Sequence, residues 1–62
     1  MITIENKTLA NDGIKIETNG KSFFVSTNQG DCIFMTGTLR KLNNWVKRYC
    51  QDHKLQYEKV QA

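Results

Sequence analysis

Residues 38–53, TLRKLNNWVKRYCQDH, decide the fold. Leu39, Leu42, Val46, Tyr49, Cys50 and His53 recur at i, i+3, i+7, i+10, i+11 and i+14, one face of a 3.6-residue period. The spacing predicts one long helix with an apolar stripe turned toward a core. Thr38 is the expected N-cap, because its hydroxyl can accept from a free N–H of the first turn; Thr36 is the alternative. Gly37 lets the chain turn out of a preceding strand. The opposite face carries Arg40, Lys41, Asn44, Lys47, Arg48 and Gln51, and no acid occurs in residues 38–51. A solvated helix face usually mixes charges, since Glu–Lys pairs one turn apart support the helix. Here that support is missing and like charges repel.

Upstream of the helix, the chain reads as a sheet for it to lie on. Residues 14–18 and 21–27 alternate apolar and polar around Asn19-Gly20, the strongest short hairpin signal. A two-residue turn predicts Thr18 opposite Lys21, Ile16 opposite Phe23 and Ile14 opposite Val25. A second turn at residues 28–31 leads to a strand over 32–36, with Thr27 opposite Cys32 and Val25 opposite Phe34. One sheet face then reads Ile14, Ile16, Phe23, Val25, Cys32 and Phe34, and is expected under the helix. The other reads Lys15, Glu17, Ser22, Phe24, Ser26, Ile33 and Met35. Phe24, Ile33 and Met35 form an apolar patch on a face otherwise suited to water.

Residues 1–6 alternate as a half-buried strand, and residues 6–13 read as a loop ending in an Asn-Asp-Gly turn, with Leu9 tucked onto the core. Residues 55–60 alternate weakly and are expected as a short C-terminal edge strand. The prediction is a single α+β domain over residues 1–62: a small antiparallel β-meander of three to four strands packed on one helix in the C-terminal half.

Sixty-two residues bury only about 60% of the unfolded surface, so stability is expected to be marginal. Nine Lys and Arg against six Asp and Glu give a net charge of +3. Its distribution is uneven: residues 1–36 hold three lysines against four acids, and residues 37–62 hold six cations against two acids. No apolar run reaches the roughly 18 residues that a membrane span needs. Residues 1–6 do not resemble a secretion signal, so a cytoplasmic protein with reduced thiols is expected.

Catalytic chemistry has little to stand on. Cys50 and His53 are three residues apart, but a thiolate is disfavoured near a helix C-terminus. Both cysteines are expected as buried, reduced core residues without a metal or catalytic role. One histidine and two distant cysteines fall short of a zinc site, and there is no Gly-rich phosphate loop or Ser-His-Asp set. No catalytic, cofactor-binding or metal residue is assigned, and the chain is not expected to be an enzyme.

Two functional readings remain. In the first, the chain is a nucleic-acid-binding regulator of DNA or RNA whose site is Arg40, Lys41, Asn44, Trp45, Lys47, Arg48 and Gln51. Cations neutralise phosphates and amides pair with bases. Trp45 lies at the seam between stripe and basic face, as a half-buried packing residue or an anchor. The order of a three-stranded meander then a helix is similar in topology to plant-type AP2 domains and integrase arm-binding domains; those read DNA with the sheet, whereas this sheet is not basic. In the second reading, the chain is a protein-binding regulator or inhibitor of the kind a phage or mobile element encodes, docked on an acidic protein. The patch of Phe24, Ile33 and Met35 would then contribute, or would serve a homodimer through the outer sheet face.

Overall fold

A computed structural model describes residues 1–61. Six elements follow in order: β1 (Ile2–Ile4), α1 (Lys7–Asn11), β2 (Ile14–Thr18), β3 (Phe23–Thr27), β4 (Cys32–Thr36) and α2 (Leu39–Asp52). The strands form one antiparallel sheet in the order β1-β2-β3-β4, and the fold is α+β. The core is Leu9, Ile14, Ile16, Val25, Leu42, Val46, Cys50 and Val60, with Ile4, Phe23, Phe34, Leu39, Trp45, Tyr49 and Leu55 packed around it.

The long helix starts where its sequence indicates. The Thr38 hydroxyl accepts from the Lys41 N–H at 3.2 Å, leaving one fewer orphan donor in the first turn. At the other end, Lys54 takes a left-handed backbone (φ 56°). The Leu55 N–H returns to the Cys50 carbonyl at 2.7 Å and the Lys54 N–H to Gln51 at 3.3 Å. These are the two bonds of a Schellman stop, made here with lysine where glycine is usual. Leu42, Val46 and Cys50 are buried along the stripe; His53, expected on it, is exposed because it lies past the last helical residue.

The hairpin keeps its predicted faces but not its register. Thr18 pairs with Phe23, Ile16 with Val25 and Ile14 with Thr27. The loop is therefore four residues, 19–22, and β3 begins at Phe23 rather than residue 21. Local side chains account for the slip. Asn19 Oδ1 accepts from the N–H groups of Lys21 and Ser22 at 2.9 and 2.8 Å. Thr18 Oγ1 donates to the Ser22 carbonyl at 2.8 Å and accepts from the Gly20 N–H at 3.1 Å. These bonds satisfy the wider loop, and Gly20 supplies its positive φ of 91°. A slip of two residues leaves every side chain on its own face.

On the far side, Val25 pairs with Phe34 and Phe24 with Met35 as the alternation predicts. A bulge then sets Cys32 opposite Ser26 instead of Thr27. Two residues of β4 oppose one of β3 there, which bends the edge. Cys32 is exposed as a result, not buried.

Two segments depart from the expected layout. Residues 6–13 contain the short helix α1. The Asn6 side chain caps it by accepting from the Leu9 N–H at 3.1 Å. Glu58 Oε1 accepts from the N–H groups of Lys7 and Thr8 at 3.1 and 3.3 Å. A carboxylate at a helix start is also favoured by the backbone dipoles. The tail, in turn, is not a strand. Its backbone partners are side chains: Asn6 Nδ2 donates to the Glu58 carbonyl at 2.9 Å, and Asn43 holds Val60 at both its N–H and its C=O. An amide supplying both bonds makes an edge strand unnecessary, and Val60 enters the core fully buried.

Candidate functional site

The exposed face of α2 is built by the burial of the other. Leu42, Val46 and Cys50 fix the helix on the sheet, so Arg40, Lys41, Asn44, Lys47, Arg48 and Gln51 all point to solvent and are exposed. At about 100° per residue these six fall into three rows. Asn44 and Gln51 form the middle row. Arg40 and Lys47 lie roughly 40° to one side, and Lys41 and Arg48 roughly 60° to the other. Each row repeats at seven residues, close to two helical turns.

The charges on this face lack partners. Among the described residues the ion pair present is Lys15–Glu17 at 3.8 Å, a β2 pair away from α2. The first turn of α2 contains no acid and its last turn no base. Arg40 and Lys41 stand instead at the positive end of the helix dipole and Asp52 at its negative end. Both placements oppose the helix's own electrostatics.

Trp45 is half-buried beside this face and takes part in a ladder of rings. Phe34 of β4 stacks on Trp45 with centroids 5.3 Å apart, Trp45 on Tyr49 at 5.2 Å and Tyr49 on His53 at 4.0 Å. Interplanar angles are 14°, 22° and 21°. The spacing of Trp45, Tyr49 and His53, four residues each, brings them over one another on the helix. The ladder ties α2 to the edge strand. The sequence pattern hints at Trp45 and Tyr49 on the helix and His53 at its C-cap, but Phe34 joins them only through the tertiary packing.

Tyr49 also donates to Asp12 Oδ2. That bond, followed by burial and the charge of the carboxylate, pushes the phenol from 10.0 up to about 12. Burial, and then Asp12, raise the Cys50 thiol. Cys50 lies in the core and His53 on the surface stacked over Tyr49, so the arrangement offers no activated thiol. Among the described residues no group of three His, Cys, Asp or Glu is placed to hold a metal ion, and no helix is long and apolar enough to cross a membrane.

The second patch lies on the opposite side of the sheet. Phe24 is half-buried by its strand neighbours, while Ile33 is 43% exposed and Met35 62%. A separate cleft of about 350 Å³ opens between β1, α1 and β2, lined by Ile4, Leu9, Ile14 and Ile16 with Lys7 and Lys15 among its polar residues. Neither feature gathers a nucleophile with a base.

Asn43, Asn6 and Glu58 were not marked by the sequence as important. They hold the tail and α1 in place. Comparison with protein-family models, curated proteins and solved structures finds no match to this chain.

Proposed function

We propose that this chain is a non-catalytic nucleic-acid-binding module that docks through the exposed face of α2. The observation that carries the reading is the set of four cations, Arg40, Lys41, Lys47 and Arg48, displayed on one rigid helix and without ion-pair partners among the described residues. The helix is less stable for holding them in this arrangement, since like charges repel and the first turn disfavours cations. A polyanion offsets both effects at once. Asn44 and Gln51, exposed between the cations, add donors and acceptors suited to base edges.

The test is binding of a labelled nucleic acid followed by fluorescence anisotropy across a salt series. Each neutralised phosphate of a duplex releases counterions, so the log–log slope should lie between about −2 and −4 for this cluster. Lys47→Glu with Arg48→Glu should abolish binding while Trp45 fluorescence reports an intact fold. An acidic protein partner is the other outcome. In that case nucleic acid fails to bind, and a captured partner remains attached through apolar contacts at high salt.

A further inference from the structure

Resting on the nucleic-acid reading, we propose that the ligand is duplex DNA, entered through its major groove, with Asn44 and Gln51 reading adenines about two base pairs apart. Three features of α2 point there.

The first is the order of the rows. Amides occupy the middle of the exposed face and cations both flanks. A helix seated in a groove turns its middle row to the floor and its flanks to the two walls. The walls of a duplex groove are phosphate backbones, and the floor is base edges. Asparagine and glutamine pair bidentately with the N6 and N7 of adenine, which only the major groove displays. Arg40 and Lys47 would then meet one strand, Lys41 and Arg48 the other.

The second is dimension. The helix has 14 residues, about 21 Å at 1.5 Å each. A helix about 10–12 Å across fits a B-form major groove about 12 Å wide. Asn44 and Gln51 are seven residues apart, about 10.5 Å or two turns along the helix axis, and two turns of a helix lying along the groove span about three successive bases, so the two amides meet bases about two steps apart. The major groove of A-form RNA is too narrow to admit side chains in this way.

The third concerns the rings. Binding of single strands relies on aromatic faces on which bases stack. None of the six exposed side chains is aromatic, and the neighbouring Trp45 and Tyr49 are each stacked on two other rings already. The face therefore suits a paired ligand whose bases stay in their own stack.

The experiment uses the full chain and three labelled probes: a mixed-sequence DNA duplex, one of its strands alone, and the RNA duplex of the same sequence. A randomised DNA duplex library is then selected on the protein. The expected result is DNA-duplex binding at least about tenfold tighter than to either other probe. Selected sites should contain two adenines about two base pairs apart. Asn44→Ala with Gln51→Ala should erase that preference, so that the variant binds selected and unselected duplexes with equal affinity. Equal or tighter binding to the single strand, equal binding to the RNA duplex, or selection that the double variant does not alter would each overturn this inference while leaving the basic face a nucleic-acid site. Failure to bind any of the three probes would overturn both.

Discussion

Asn43 holds Val60 by both backbone groups: its Oδ1 accepts from the Val60 N–H at 2.7 Å, and its Nδ2 donates to the Val60 carbonyl at 3.1 Å. The same oxygen accepts from the Tyr57 hydroxyl at 2.9 Å. One side chain thereby does for the tail what a neighbouring strand does in a sheet, and it lets Val60 complete the core under α2. This makes the C-terminal segment part of the domain's stability and not an appendage of it.

Asn43→Ala should therefore be among the costlier substitutions on the helix. It removes three bonds to the backbone, two at Val60 and one to the Leu39 carbonyl, and leaves partly buried groups without partners, a loss of about 2–3 kcal/mol. For a domain of this length that is a large share of the total, about 3–9 kcal/mol. Asn43→Asp keeps the acceptor for Val60 and Tyr57 and loses only donors, so it should fall between wild type and alanine. Urea denaturation of the three proteins checks the order. Equal midpoints would mean the tail is held by Val60 burial alone.

The two thiols should behave differently. Cys32 stands exposed at the bulge, and Cys50 is buried with its thiol raised by burial and by Asp12. Under native conditions at mildly alkaline pH, a thiol reagent should label one equivalent rapidly and the second only as denaturant is added. A Cys32→Ser variant should abolish the fast phase. Two fast thiols would mean that α2 opens readily from the sheet.

A pH-dependent contribution is expected from Tyr49. Its hydrogen bond to Asp12, with burial and the nearby charge, raises the phenol from 10.0 to about 12 in the folded protein. The folded state thus holds the proton more tightly than the unfolded chain. The resulting stabilisation is complete below pH 10 and is lost as pH rises through about 12. Tyr49→Phe retains a ring for the stack and lacks the hydroxyl. The melting-temperature gap between wild type and this variant should be constant below pH 10 and close between there and pH 12. A gap that persists to the alkaline end would show that the Asp12 bond does not hold the proton.

Local rules made much of this molecule legible. The α2 stripe and its Thr38 cap depend only on spacing within one segment. Strand faces follow a period of two, which survives the two-residue slip at Thr18 and Asn19. The exposure of Arg40, Lys41, Asn44, Lys47, Arg48 and Gln51 follows directly from the burial of the stripe. What escaped the sequence is what distant residues complete. The first-turn donors of α1 are met by Glu58 from the far end of the chain. The worth of Asn43 depends on where Val60 arrives, and the exposure of Cys32 on a bulge that no turn residue announces.

The charges on the first turn of α2 allow stability and binding to be separated in one substitution. Thr38 already accepts from the N–H of Lys41, half of a capping box whose other half is an acidic side chain at that same position. Lys41→Glu supplies it, places a carboxylate at the positive end of the dipole, and removes a cation that Arg40, Lys47 and Arg48 repel. The variant should gain about 1 kcal/mol. Arg40→Glu should add about 0.3–1 kcal/mol by the dipole alone. If the face serves a polyanion, the same variants should bind it more weakly, by tenfold or more for the pair, and flatten the salt slope by about 2. Denaturation and anisotropy on the same preparations decide the matter. Higher stability with unchanged affinity for nucleic acid would show that the first-turn cations lie outside the contact, and would confine the interface to the face from Asn44 to Gln51, with Lys47 and Arg48 as its cations.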